Sequence, residues 1–400
     1  MLGAATLLPW NAMITTSGYF SSRLAAASSP YAARFSYTLS TTLTVSNLVF
    51  LLHATLSSKR SPITRRLRFS GLLITALFTM LALATSLSDI PASAFFWSVL
   101  LIGAVQIGAA SYMSTAAALA GQAAAGVVVS VVQLLTKYSA LRAPSGSDPD
   151  DASASANAAF WFFAFSTAFM LLSLLGHAYV ARQRTFRHVL EPFESSQTAV
   201  TESFGAAAGM SKAELVHIGR VTRANGIYYL TVAFVFGTTL SVYPAITGSV
   251  APHSPTTNAD LSNPALFTAA HFLIFNASDW LGRFFCSIPQ FVIHNPHIIL
   301  ALAAGRLLFI PIFLSCNVVG STGARGGAPN ALFFFAVSTL GITGGWLGSL
   351  CVMGAVDPVH NRRLKAREDV DTAATVAGFA IVVGLMLGSF ASMGISSFIN

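Results

Sequence analysis

Charge is what this chain has least of. Asp, Glu, Lys and Arg make up 9% of its 400 residues, against about 25% in soluble domains. Hydrophobic residues make up 54%, and the mean hydropathy is +0.67. This excludes a water-soluble protein of ordinary composition. Because its apolar runs are about 20 residues long, the length at which a helix crosses a bilayer with its backbone satisfied, the chain reads as an all-α polytopic membrane protein. The net charge of +8 lies in short clusters between apolar runs rather than on one domain, so no nucleic acid is expected as a partner.

Cysteine is scarce as well. The three present, Cys286, Cys316 and Cys351, sit in or beside apolar segments without CxxC spacing, which excludes a disulfide framework and leaves them as small apolar helix residues. No HExxH, GxxxxGK or GxSxG occurs, so no metal, no cofactor, no enzyme and no energy-driven pump is expected. The single NPA, Asn263 to Ala265, falls in a predicted loop without a second copy and does not make a water channel. The sequon Asn276-Ala277-Ser278 is inside an apolar run, where no glycan is expected. The opening MLGAATLLPWNAM lacks the basic region of a signal peptide and reads as a retained first span, compatible with a missing upstream tail.

Eleven segments meet the length criterion for a span, at about 1–21, 38–57, 69–88, 94–113, 116–136, 158–180, 226–247, 266–287, 298–317, 331–354 and 372–398. The fourth and fifth run almost unbroken and divide near Tyr112 to Thr115. With the N-terminus cytoplasmic, fifteen of the 22 Lys and Arg residues fall on the inner side and five on the other, so an N-inside, C-outside topology is expected. Residues 1–181 form a six-helix half, 182–225 a polar cytoplasmic linker and 226–400 a five-helix half. The linker and the acidic stretch at 145–156 both read as flexible connectors.

Against this background FNASDWLGRFFC, residues 275 to 286, stands out. A charge at mid-bilayer costs about 2.5–3.5 kcal/mol on insertion scales. Asp279 and Arg283 are four apart, so on a helix they share a face with the acid leading, the favourable order for pairing. Two readings are open: a structural latch, or an acceptor and a forked donor suited to the hydroxyls of a polar solute. Arg306 lies about eight residues into the ninth span, where it can snorkel or can gate and bind. His271, two turns before Asp279, is either a packing residue or a ligand and proton group. Pro9, Trp10 and Asn11 offer a bend, a flat ring and an amide, suited to a cavity for an aromatic ring or to a kinked packing helix. Gln122 can read a base edge or join helices. Gly344-x-x-x-Gly348 and Gly384-x-x-x-Gly388 read as close-packing motifs.

At these positions the sequence resembles the equilibrative nucleoside transporter family. Its first-span PWN is seen in LLPWNAMITTSGYF, its GQxxAG in Gly121 to Gly126, and its VFPA-like turn in SVYPAIT. FNxxDxxGR is seen in Phe275 to Arg283, and RxxFxPxFxxCN in Arg306 to Asn317. In the tenth span, GITGGWLGSLCVM matches NGYLxSLxM with Gly344 and Trp346 in place of Asn and Tyr, so contacts from those two positions do not carry over. The resemblance implies a major-facilitator-like bundle of six plus five helices that moves nucleosides or nucleobases by alternating access, facilitative or proton-linked, as a monomer in the lipid bilayer. It implies Asp279 and Arg283 toward the ribose, and Trp10, Asn11 and Gln122 in the substrate site. His271 and Arg306 are left for a gating or proton role. The GQAAAGVVVSVVQLL segment is similar to vacuolar fungal members, with the plasma membrane as the alternative address. Two other classes stay open: an intramembrane enzyme using Asp279 and His271, and a non-transporting receptor.

Overall fold

The computed structural model describes residues 2–32, 35–57, 63–87, 90–114, 126–135, 138, 151–183, 212–244, 246–256, 258, 260–320, 323–325, 327, 329–361, 364 and 367–399. Helices dominate. In chain order they are α1 (Leu2–Thr15), α2 (Ser17–Ala26), α3 (Phe35–Ser57), α4 (Ile63–Thr85), α5 (Ala92–Ser114), α6 (Gly126–Leu135) and α7 (Asp151–Val180). Then come α8 (Lys212–Ala224), α9 (Gly226–Val242), α10 (Pro264–Phe285), α11 (Pro296–Gly305), α12 (Phe309–Leu314), α13 (Asn330–Val356) and α14 (Arg367–Ile399). A short antiparallel pair, β1 (Val318–Gly320) and β2 (Gly323–Arg325), links α12 to α13. Among the described residues, seven helical segments are long and apolar enough to cross a membrane, which makes this an integral multi-pass membrane protein. At 22 residues, α10 is also long enough to span, although its polar side chains lower its hydropathy.

Two compact units form: Met1–Ala125 with Pro144–Ser211, and Gly126–Ala143 with Lys212–Asn400. In the first, α4 packs on α7 and α3 on α5, with α1 against both α5 and α7. Its centre is aromatic. Phe20 meets Phe35, Phe95 and Phe163 at ring-centroid distances of 5.7, 5.9 and 6.0 Å. Arg23, one turn on, covers the Phe95 ring at 4.3 Å and donates to the carbonyl oxygen of Ala84 at 2.9 Å, so its charge closes the end of α4.

In the second unit the strongest packing is α10 on α13 and α9 on α14. Glycine permits the latter. A Cβ at Gly384 would lie 2.2 Å from the Ala233 carbonyl oxygen, and one at Gly388 would lie 2.4 Å from that of Gly237, so the two backbones meet where the sequence places its close-packing motif.

Several helix boundaries differ from the sequence reading, each for a local reason. The first span is two helices. It runs straight through Pro9 and breaks at Thr16, whose hydroxyl donates to the Ala12 carbonyl at 2.7 Å. The acidic connector is already helical from Asp151. The linker ends in α8, which is anchored rather than flexible: His217 and Arg220, one turn apart, both reach the fully buried Asp369 carboxylate at 2.8 and 2.5 Å, and Val221 packs on Leu364 and Ala373. The NPA is no loop. Asn263 caps α10 by accepting from the Ala265 N–H at 3.0 Å, and Pro264 opens the helix.

At one end of the second unit, the loop before α11 meets the loop after α13. The Tyr228 hydroxyl at the start of α9 donates to the His294 carbonyl at 3.1 Å. Desolvation pushes the Asp357 carboxyl up, but hydrogen bonds from the His360 ring and from the Val359 and His360 N–H groups outweigh it. They hold the carboxyl below the usual carboxylate range, so it is ionised at neutral pH.

Candidate substrate site

The α10–α13 crossing sets the geometry of the charged pair. A Cβ at Gly345 would lie 2.0 Å from the Asp279 carbonyl oxygen, one at Gly341 2.7 Å from that of Phe275, and one at Gly282 2.1 Å from that of Ile342. The two backbones touch, so α10 cannot turn about its axis without losing this seat. The close approach is carried by Gly341 and Gly345 rather than by the Gly344/Gly348 motif. Gly344 instead leaves room for the Arg306 guanidinium, whose Nη2 is 3.3 Å from where its Cβ would be, and Gly348 faces the Phe236 ring.

With one face of α10 fixed on α13, the helical repeat decides the others. Trp280, Leu281 and Phe284 point outward and are exposed. Asn276, Asp279 and Arg283, at spacings of three and four, share the third face. Arg283 Nε donates to Asp279 Oδ2 at 2.9 Å, and the two side chains retain 11% and 16% exposure respectively. The pair is neither sealed nor spread on the apolar exterior.

Asn276 was not singled out from the sequence. Its Nδ2 donates to Ser130 Oγ on α6 at 2.8 Å and to the Phe272 carbonyl at 2.9 Å. A Cβ at Gly126 would lie 2.4 Å from its Oδ1, so the last glycine of GQAAAG is what lets α6 reach this face. The missed signal was its place three residues before Asp279. Gln122, four residues ahead of Gly126, lies outside the described residues. Trp10 and Asn11 are half-buried on α1 in the first unit.

Arg306 does not snorkel. Only 2% exposed, it sits in the 3₁₀ turn Arg306–Leu308 that interrupts the ninth span between α11 and α12. It donates to the Leu340 carbonyl at 3.0 Å, to Thr239 Oγ1 at 2.6 Å and to Thr343 Oγ1, within electrostatic reach of Asp279. Its Nε has no partner among the described residues. The two threonines already donate within their own helices, Thr239 to Val235 O and Thr343 to Thr339 O at 2.7 Å each, so neither depends on the arginine for its proton. A buried guanidinium whose partners are satisfied without it adds little stability over an apolar side chain of similar size. Arg306→Met is therefore expected to hold or raise the thermal midpoint of the purified protein. A clear fall would mark the residue as structural.

His271 is 1% exposed and engaged locally. Its Nδ1 is 2.7 Å from the Thr268 carbonyl, which can only accept, so Nδ1 carries the proton and Nε2 faces Thr247 Oγ1 at 3.4 Å. Eight residues before Asp279, it lies about 12 Å away along the helix axis. The structure does not bring the two together. Tyr243, from SVYPAIT, stacks on Phe275 with centroids 3.8 Å apart, closing this end of the α10 face. Trp346 donates its indole N–H to the Phe291 carbonyl at 2.9 Å, a partner in the loop beyond the C-terminal end of α10.

Solved structures share the fold of this helical membrane bundle. A D-xylose-proton symporter aligns over 99% of this chain and 89% of its own with a TM-score of 0.57 at 13% identity. An inward-open structure of a xylose transporter from E. coli aligns over 100% and 95% with a TM-score of 0.50 at 14% identity. The profile described as "Nucleoside transporter" matches residues 92–397, and the chain belongs to that family. Its relatives include equilibrative nucleoside transporter 1 of Rattus norvegicus, 24% identical over 98% of this chain and 94% of the relative. Equilibrative nucleoside transporter 2 of Homo sapiens is 26% identical over 97% and 94%. Equilibrative nucleotide transporter 1 of Arabidopsis thaliana is 27% identical over 97% and 83%. This is a family of transporters and not of enzymes.

Proposed function

We propose that this protein carries nucleosides across a membrane by alternating access, with the Asp279 carboxylate and the Arg283 guanidinium taking the ribose hydroxyls. The observation that supports this most is the pair itself. Among the described residues it is joined by a single hydrogen bond, and it is still partly open, so the second carboxylate oxygen and the guanidinium Nη groups can meet a polar solute. The family resemblance assigns Trp10, Asn11 and Gln122 to the base, and free nucleobases fit the same reading. Arg306 and His271 are the groups through which a gate or a proton step acts. The protein works as a monomer in a vacuolar-type or plasma membrane.

The test is uptake of labelled uridine and adenosine into vesicles holding the purified chain, with competition by other nucleosides and by nucleobases. Saturable uptake, competed by nucleosides and recovered chemically unchanged, is expected. Non-saturable uptake would reject the reading. Stimulation by an imposed inward proton gradient marks proton coupling, and indifference marks simple facilitation. Arg306→Met is expected to slow uptake while preserving stability.

A further inference from the structure

Away from the charged pair, three side chains of metal-ligating type converge on the end of the second unit where α11 and α14 begin. His294, Asp357 and His360 each offer a ligand atom within 4.8 Å of the others. The two imidazoles lie face to face, with centroids 3.7 Å apart and 17° between planes. Asp357 Oδ2 is 2.6 Å from His360 Nδ1. We infer that these residues form a binding site for a divalent transition-metal ion of the zinc type, joining the α10–α11 and α13–α14 loops.

Three features carry this. The donor set is two imidazoles and one carboxylate, which suits zinc and its first-row neighbours and disfavours magnesium and calcium, which take oxygen ligands. The carboxylate supplies the negative charge a cation needs, and it orients the His360 ring either as a direct ligand or as the carboxylate behind a ligating histidine.

The backbone is also prepared. His294 directly precedes Asn295, which caps α11 by accepting from the His297 N–H at 3.0 Å. Asp357 ends α13, and its turn is closed by Asn361 N–H donating to the Asp357 carbonyl at 3.0 Å. Buried Asn361 then ties that turn to Asn225 Oδ1 at 2.6 Å and to the Gly354 carbonyl at 3.2 Å. Both loops are thus held at helix ends before any ion arrives. Metal–ligand bonds of about 2.0–2.1 Å hold ligand atoms no more than about 4.2 Å apart. To bind, each imidazole turns out of the stack so that its in-plane lone pair meets the ion, which brings the ligand atoms within this limit, with water taking the fourth position. The site shares no residue with the Asp279–Arg283 pair, and the charge asymmetry of the loops puts it on the cytoplasmic face.

The full chain in detergent, stripped with a chelator, is titrated calorimetrically with zinc chloride and then with magnesium and calcium chloride. One zinc ion per chain is expected, with no comparable heat from magnesium or calcium. His294→Ala and His360→Ala are each expected to weaken zinc binding at least tenfold, whereas His253→Ala, at the other end of α9, leaves it unchanged. Equal zinc binding by wild type and both cluster variants would overturn the assignment, as would no binding by wild type. A second measurement needs no variant. Zinc is expected to protect His294 and His360 of the wild-type protein from acylation by diethyl pyrocarbonate, mapped by mass spectrometry. Modification of both at the unprotected rate contradicts the site.

Discussion

Asp279→Asn is expected to cut uridine uptake by reconstituted vesicles roughly 100-fold while the protein stays folded. A hydrogen bond to a charged group contributes about 1.5–3 kcal/mol. An ionised carboxylate accepting from two ribose hydroxyls loses both at that strength when it becomes an amide, and a loss near 3 kcal/mol corresponds to about two powers of ten in rate. The fold tolerates the change because the pair retains 11% and 16% exposure, so Arg283 is not left as a fully buried, unpaired charge. Arg283→Ala should match it in uptake. Elution as a single species on size exclusion, together with loss of uptake, is the expected pattern. Near-normal uptake by both variants would show that the pair is a latch.

Gly345→Ala should be nearly as damaging, by a different route. The new methyl would lie 2.0 Å from the Asp279 carbonyl oxygen, and that atom belongs to a helix backbone that cannot swing aside as a side chain would. The crossing must open, at an overpacking cost of about 1–3 kcal/mol. The displacement falls on the turn that carries Asp279 and Arg283. A lower thermal midpoint and a large loss of uptake are expected together. Two substitutions calibrate the result. Gly348→Ala meets only the Phe236 ring, at 3.2 Å, which can turn, and Gly378→Ala meets nothing within 4 Å. Both should be close to wild type. If all three behave alike, the backbone seat is not what positions the pair.

The membrane class and the family were readable because they rest on local signals: long apolar runs, and motifs that keep their order. The i, i+4 spacing of Asp279 and Arg283 likewise foretold the hydrogen bond between them, since a helix turn alone brings them together. What could not be read came from distant partners. Arg306 looked free to snorkel because nothing near it in sequence accepts a hydrogen bond, yet its acceptors are on α9 and α13. The break at Arg306–Leu308 was hidden in a run of uniform hydropathy, which measures affinity for lipid and not helix geometry. Asn276 drew notice as a sequon and as one letter of FNxxDxxGR but was given no role, because Ser130 is 146 residues away. Helix α8 sat at the end of a polar stretch, and its anchor, Asp369, lies on the far side of the whole second unit in sequence.

The most direct measurement is counterflow. Vesicles containing the wild-type chain are loaded with unlabelled uridine and diluted into a trace of labelled uridine. A site that faces each side in turn predicts a transient overshoot of label inside, and Asp279→Asn vesicles should show none. No overshoot with wild type, or equal overshoot with the variant, would contradict a carrier built on this pair.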